Sequence, residues 1–121
     1  MKKKIAIIGS GIAGLTFGNL IKKYSKHDFI IYEKEENLSL EEGYGIQLAS
    51  NSTKILNQIG FDKINYEKIF YPKGIDFYNI QNKKICDLDL SQFNTEKYKY
   101  TTLQRSVLIE FLKDDIYTQH L

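Results

Sequence analysis

Gly9-Ser10-Gly11-Ile12-Ala13-Gly14 decides the fold, because its three glycines follow the GxGxxG pattern. The run before it, Lys4 to Ile8, is β-branched and almost wholly apolar, which is typical of a strand buried on both faces of a parallel sheet. From about Ile12 to Tyr24 the apolar residues have helical spacing, and Gly18 is expected to let this helix pack closely on the sheet. The pattern predicts a strand, a tight turn and a helix.

Each glycine of the turn has its own physical purpose. Gly9 permits the tight turn, Gly11 lets the backbone approach a pyrophosphate, and Gly14 allows close contact between helix and strand. The helix N-terminus adds N–H donors and a partial positive charge that suit phosphate groups. The turn is therefore a candidate diphosphate site.

An acid stands where a ribose-binding carboxylate is expected. Glu33 follows a second apolar run, Phe29 to Tyr32, and lies 19 residues after Gly14. A carboxylate here accepts hydrogen bonds from ribose hydroxyls and repels a 2′-phosphate, so NADP fits this site poorly. FAD and NAD both carry a free adenosine ribose, and the pattern does not choose between them. The bland alternative is a glycine-rich turn with an exposed glutamate, neither of which contacts a ligand.

The rest of the chain continues as mixed α and β structure. Turn residues, apolar alternation and helical spacing predict the following elements: a polar loop from Glu33 to Glu42, a strand from Gly45 to Leu48, a helix capped by Ser50 or Asn51 that runs to about Ile59 and stops at Gly60, a hairpin of Ile75 to Ile80 with Ile85 to Leu90, and a last helix from about Ser106.

Composition excludes several classes of function. The 121 residues suffice for one small domain, and a net charge of +2 gives no basis for binding nucleic acid. The single cysteine, Cys86, and the distant His27 and His120 suggest no metal site, and a cytoplasmic location is expected. The lysines and apolar run at the N-terminus look like a signal peptide, but glycines interrupt the run. No stretch approaches the ~20 apolar residues of a transmembrane helix.

Two further segments resemble a known family. Glu42-Gly43-Tyr44-Gly45-Ile46-Gln47-Leu48-Ala49-Ser50-Asn51 and Leu103-Gln104-Arg105-Ser106-Val107-Leu108 are similar to stretches of the flavoprotein aromatic hydroxylases. That family includes para-hydroxybenzoate hydroxylase, salicylate hydroxylase and the ubiquinone-biosynthesis hydroxylases. The resemblance covers nearly the whole chain, and it is dense up to Phe61 and again around Arg105.

The resemblance implies that FAD is the cofactor and NAD(P)H its co-substrate. The pyrophosphate would be held by Gly9, Ser10, Gly11, Ile12, Ala13 and Gly14. Glu33 would hold the adenosine ribose with Lys34 beside it, and the segment Gly43 to Gln47, including Gly45, would pass near the flavin. Arg105 would reach the FAD phosphate or ribose. A cation at a helix start also opposes the helix dipole by about 0.3–1 kcal/mol, so an anionic partner would explain its position.

The same resemblance implies an α/β fold that is incomplete relative to the family. Residues 1–121 would be the N-terminal part of an FAD-binding domain, with a βαβ unit over 1–34, a hairpin over about 70–91 that opens a second, substrate-side domain, and a helix over about 103–121. Glu41 and Glu42 stand where many members have an arginine or histidine, and the later Asp-Gly and Gly-Asp motifs are absent.

The implied activity is hydroxylation of a small aromatic substrate with NAD(P)H and O₂, by a chain longer than this one. No catalytic residue is evident, the oligomeric state is open, and the 121 residues alone are expected to be inactive. Alternatives are an NAD-binding oxidoreductase domain and a truncated, non-catalytic nucleotide-binding protein. A third is a flavoprotein reductase acting on lipids or isoprenoids, with Phe77, Tyr78 and Leu88 lining a pocket.

Overall fold

A computed structural model describes residues 1–35 and 44–120. The predicted loop from Glu33 to Glu42 therefore lies largely outside the described residues, as do Gly43 and the two acids at 41 and 42. The α/β fold class is confirmed. In chain order the elements are β1 (Lys4–Ile8), α1 (Ile12–Tyr24), β2 (Asp28–Glu33), β3 (Gly45–Leu48), α2 (Ser50–Asn57), β4 (Ile69–Phe70), β5 (Gly74–Tyr78), β6 (Lys84–Asp89), β7 (Thr101–Gln104), α3 (Arg105–Lys113) and β8 (Thr118–His120).

The first sheet contains β1, β2 and β8 in the order β1-β2-β8, with all pairs parallel. The register places Lys4 opposite Asp28 and Ile8 opposite Tyr32, and α1 makes the crossover between the two strands. Gly18 lies against the sheet, because an added Cβ would come within 2.9 Å of the Ile31 side chain. The predicted close packing at this glycine is thus present.

The end of the chain differs from the prediction of a helix over about 103–121. α3 occupies only Arg105–Lys113, and Gln104 is its N-cap. The chain then turns and pairs β8 with β2, with Ile31 opposite Thr118. The sequence does not predict β8, because its three residues, Thr118–His120, are polar or titratable and have no apolar alternation.

A second sheet carries the segment that resembles the flavin hydroxylases. Its order is β3-β7-β4, and both pairs are antiparallel. α2 follows β3, with Ala49 rather than Ser50 or Asn51 at its N-cap, and it ends at Asn57, short of the expected Ile59. Gly60 adopts a left-handed φ of +98°, as expected of a residue that reverses the chain after a helix.

The predicted hairpin is present as β5 and β6, with opposite chemistry on its two faces. Ile75 pairs with Leu88 and Phe77 with Cys86 on one face. On the other face Lys84 forms ion pairs with Asp76 and Asp87, both at 2.9 Å. The apolar face remains largely exposed, since Phe77 is 47% and Leu88 40% accessible to solvent.

The expectation that β1 is buried on both faces is wrong for the described residues, and β2 is likewise exposed on one face. Ile7 and Ile31 are buried under α1, but their neighbours Ile8 and Ile30, which point the other way, are 75% and 44% exposed. Only one layer of helices therefore covers the first sheet among the described residues. The core lies between that sheet, α1 and α3, and its fully buried side chains include Leu15, Ile31, Leu108, Ile109 and Leu112.

No helix in residues 1–35 and 44–120 has the length and apolar character needed to cross a membrane.

Two glycines of the turn differ in the space around them, which makes them a matched pair for mutation. An added Cβ at Gly14 would overlap the carbonyl oxygen of Gly9, whereas one at Gly11 would meet no atom within 4 Å. We expect Gly14→Ala to lower the free energy of unfolding by about 1–3 kcal/mol through overpacking, and Gly11→Ala to change it by less than about 1 kcal/mol. Urea denaturation followed by circular dichroism measures both, and equal effects would contradict the packing described here.

Candidate functional site

The turn between β1 and α1 has the shape of an anion cradle. Gly9 adopts a φ of +95°, which favours glycine, and its N–H donates to the Tyr32 carbonyl at 2.7 Å. Space is open where side chains would stand at Gly9 and Gly11. The backbone of the turn is therefore accessible to a ligand and fixed to the end of β2.

The N-terminus of α1 presents donors that its own helix does not use. The first helical bond runs from the Leu15 N–H to the Gly11 carbonyl at 3.0 Å, so the amides of Ile12 to Gly14 precede the first bonded donor. Gly11, the N-cap residue, has no side chain with which to cap them, and the first turn contains no acid. No acid within α1 itself therefore offsets the positive end of its dipole.

Glu33 ends β2 with its carboxylate directed at this turn. Its Oε2 accepts from the Ser10 amide at 2.7 Å and from the Ser10 hydroxyl at 2.9 Å. Its Oε1 accepts from the amides of Lys34 at 2.9 Å and Glu35 at 3.1 Å. The bond from the Ser10 amide, followed by those from the Glu35 amide, the Ser10 hydroxyl and the Lys34 amide, lowers the pKa of Glu33 to about 2. The carboxylate is therefore anionic throughout the physiological range.

Lys34 follows Glu33 in the chain, and its side chain pairs with a different acid. Its ammonium pairs with the Glu35 carboxylate at 3.6 Å, and both side chains are well exposed. Such exposed pairs contribute little to stability. The backbone N–H of Lys34, rather than its charge, is what the structure brings to Glu33.

Gly45 and Gln47 lie in β3, in the second sheet. Gly45 pairs with Gln104 of β7 in the antiparallel register. The Gln47 Oε1 accepts from the Tyr100 hydroxyl at 2.6 Å, a short bond that fixes the amide group. Tyr100 was not singled out from the sequence, since the aromatic stretch around it has no clear period.

Arg105 begins α3 and adjoins the same strand. Its backbone N–H donates to the Tyr44 carbonyl at 3.1 Å, and its guanidinium carbon lies 5.8 Å from the centre of the Tyr44 ring. The half-buried Arg105 therefore sits at the N-terminal end of a helix, directly after Gln104, which pairs with Gly45 in the sheet. An anionic group would be favourable here because both the guanidinium and the positive end of the helix dipole would attract it.

The predicted site residues thus form two groups. The first contains the turn Gly9 to Gly14 with Glu33 and Lys34, and the second contains Gly45, Gln47 and Arg105. A bridge links the helices behind them, because the Asn19 Nδ2 donates to the carbonyls of Leu15 in α1 and Leu112 in α3 at 2.9 and 2.8 Å. This role of Asn19 was not predicted.

A cleft of about 650 Å³ lies between β4, β7 and α3, and it adjoins the second group rather than the first. The residues that line it include Gly45, Phe70, Gln104, Ser106 and Glu110. The glycine turn is not part of it. A turn that binds a diphosphate through the backbone amides at a helix N-terminus does not require a deep cavity.

Comparisons with known proteins agree with this geometry. Residues 7–41 match the NAD(P)-binding Rossmann-like domain. The FAD-dependent monooxygenase subE of Metarhizium robertsii is 30% identical over 119 residues, which cover 92% of this chain and 34% of that protein. The FAD-dependent monooxygenase cdmI of Talaromyces verruculosus is 29% identical over 94 residues, covering 71% of this chain and 19% of that protein.

Solved structures share the fold. The tetrameric form of 2-methyl-3-hydroxypyridine-5-carboxylic acid oxygenase superimposes with a TM-score of 0.78 at 20% identity, over 98% of this chain and 31% of that one. CtdE, in complex with FAD and a substrate, gives a TM-score of 0.76 at 17% identity, over 97% of this chain and 29% of that one.

The fold and turn define a Rossmann-like βαβ unit. Within that class the chain is similar in sequence to FAD-dependent monooxygenases, which agrees with the resemblance seen in its sequence. It spans only 19% and 34% of the length of the two curated relatives described above.

The depressed pKa of Glu33 makes its contribution to stability depend on pH. Its folded pKa, about 2, lies below its ordinary value of 4.5. The stabilisation is therefore fully present above pH 4.5 and declines as the pH falls from 4.5 towards 2. We expect Glu33→Gln to destabilise the chain at pH 7 and to approach the wild type near pH 3, as judged by urea unfolding.

Glu35→Gln is the control, because the Glu35 side chain makes none of the bonds to Ser10. The difference in unfolding free energy between Glu35→Gln and the wild type should not decrease as the pH falls from 7 to 3. A pH-independent effect of Glu33→Gln would show that the carboxylate is not held by these donors.

Proposed function

We propose that this chain holds the adenosine diphosphate half of FAD and is part of a flavin-dependent monooxygenase. The observation that carries the proposal is the Glu33 carboxylate, held 2.7 Å from the Ser10 amide at the open turn before α1. A diphosphate site and a ribose acceptor thus lie together. The FAD-dependent monooxygenases to which the chain is related, and the FAD complex that shares its fold, support this choice of cofactor.

The residues present fit such a cofactor. The open space at Gly9 and Gly11, where a Cβ would otherwise stand, admits the diphosphate to the backbone. The amides of Ile12, Ala13 and Gly14 would bind it and the α1 dipole would favour its charge, while the Ser10 amide stays bonded to Glu33. Glu33 would accept from the adenosine ribose, with Lys34 beside it.

The second group would serve the other half of the cofactor. Gly45 and Gln47 would lie near the flavin, with Gln47 oriented by Tyr100. Arg105 would contribute positive charge to the phosphate or ribose region from the start of α3. When bound, FAD would supply the redox chemistry, in which NAD(P)H and O₂ are consumed and a small aromatic substrate is hydroxylated.

The protein's own part in this chemistry would be binding and orientation. The anionic Glu33 would reject a 2′-phosphate, since two negative charges in contact repel each other. The site would therefore accept FAD or NAD and exclude NADP. This does not limit the hydride donor, which would bind elsewhere in the full enzyme.

One specific observation favours a second candidate, an NAD-binding oxidoreductase domain. The family model that residues 7–41 match is described as NAD(P)-binding. The same turn and acid would bind the adenosine diphosphate half of NAD. Flavin absorbance distinguishes the two, because only FAD gives a yellow complex.

Catalysis would require more protein than these residues provide. Other parts of a protein about three times as long would cover the exposed apolar faces of β1 with β2 and of the hairpin. Residues 1–121 would be the N-terminal portion of its FAD-binding domain. The hairpin would be the opening of a substrate-side domain. We place this protein in the cytoplasm, where the exposed free thiol of Cys86 fits a reducing environment.

Nucleotide binding by the 121-residue chain tests the proposed function. We expect ADP and FAD to bind, and Glu33→Gln to weaken both by about tenfold or more, because hydrogen bonds to a charged acceptor contribute about 1.5–3 kcal/mol. Glu35→Gln, a change two residues further along the chain, should bind as the wild type does. Isothermal titration calorimetry provides the affinities, and equal affinities for the two variants would refute the role of Glu33.

A turnover assay tests whether the chain is sufficient for catalysis. We expect no substrate-dependent oxidation of NAD(P)H by the isolated chain with added FAD, since these residues span only 34% of the length of the similar monooxygenase subE. Robust turnover would overturn this expectation.

A further inference from the structure

The Glu33 carboxylate already has a full set of hydrogen-bond donors. Two amides bond Oε1, and the amide and hydroxyl of Ser10 bond Oε2. A carboxylate offers about four lone-pair positions, so these four donors fill them. A ribose diol that reaches this acid must displace a donor or share its position.

The four donors are not equally easy to displace. Three are backbone amides, and moving any of them requires the chain at the end of β2 or in the glycine turn to shift. The fourth is the Ser10 hydroxyl, which leaves by rotation about one side-chain bond. It is also of the same chemical kind as a ribose hydroxyl, and it bonds the oxygen that faces the turn, at 2.9 Å.

The position of Ser10 favours the hydrogen bond from its hydroxyl to Glu33 Oε2. It is fully buried, with 0% of its surface exposed, so water does not compete for its hydroxyl. The lowered pKa of Glu33 is consistent with a bond to the charged form from this side chain as well as from its amide. Ser10 thus occupies the acceptor position that a ribose would need.

We propose that the Ser10 hydroxyl is an internal competitor that the adenosine ribose replaces on Glu33 Oε2. This inference rests on the proposed function, and it makes Ser10 a residue that sets nucleotide affinity through the acid. Removing the hydroxyl leaves three amide donors to orient the carboxylate and opens one acceptor position. Loss of Ser10 Oγ therefore strengthens binding of a nucleotide that has both ribose hydroxyls.

The test compares ADP with 2′-deoxy-ADP on the 121-residue chain. In Ser10→Ala, ADP should bind about three- to tenfold more tightly than in the wild type, the change that corresponds to the net value of one hydrogen bond. 2′-Deoxy-ADP should gain less than ADP, because it lacks one of the hydroxyls that take the vacated position. Ser10→Cys keeps the buried volume with a weak donor, and it should shift the ADP affinity in the same direction by a smaller factor.

Ser91→Ala is the matched control, because Ser91 donates its backbone N–H to the exposed Asp89 carboxylate at 2.9 Å, far along the chain in the hairpin region. It removes a serine hydroxyl beside an acid but should leave the ADP affinity unchanged. Circular dichroism confirms that each variant folds.

A second readout does not need a nucleotide. The pKa of Glu33, followed by the ¹³C shift of its carboxyl carbon, should rise in Ser10→Ala, and an unchanged value would show that the hydroxyl bond is absent and overturn the inference. Weaker binding of ADP by Ser10→Ala, or equal changes for ADP and 2′-deoxy-ADP, would also overturn it. If the wild type binds neither nucleotide, the proposed function fails, and the inference fails with it.

Discussion

The hydrogen bonds between Glu33 and Ser10 join the two features on which the site depends. They connect the end of β2 to the turn that leads from β1 into α1, so the acid and the diphosphate cradle keep a fixed relation. The hydrogen bond from the Gly9 amide to the Tyr32 carbonyl is a second connection between the turn and the end of β2. Because these hydrogen bonds run between the ends of neighbouring parallel strands, the relative position of the acid and the turn follows from strand pairing.

The packing beneath the turn explains why the cradle stays open. Gly14 sits against the Gly9 carbonyl and Gly18 against Ile31, so α1 lies close to the sheet and its N-terminus points at the turn. Asn19 then connects α1 to α3 through two backbone carbonyls, and α3 begins at Arg105. The helix that carries the first group of site residues is thereby braced against the helix that carries the cation of the second.

Much of this arrangement could be predicted from the sequence, because the decisive signals are local. The bounds of β1 and α1 agree with the expected ones, since apolar periodicity and the glycine turn specify them. The features that the sequence does not predict depend on contacts between residues that are distant along the chain. β8 has only polar or titratable residues and exists because β2 offers it a partner, and Tyr100 matters only because β7 brings it to Gln47. The exposed face of β1 was misjudged because an all-apolar run does not reveal which neighbours will cover it.

The central claim is that an adenosine diphosphate binds at the turn before α1, with its ribose on Glu33. The most direct measurement is the change in backbone amide NMR shifts when ADP is added to the ¹⁵N-labelled chain. The account predicts that the largest changes fall on the amides of Gly9 to Gly14 and on Lys34 and Glu35, whose N–H groups share the Glu33 carboxylate. Changes confined to the cleft between β4, β7 and α3, with the glycine turn unaffected, would contradict it.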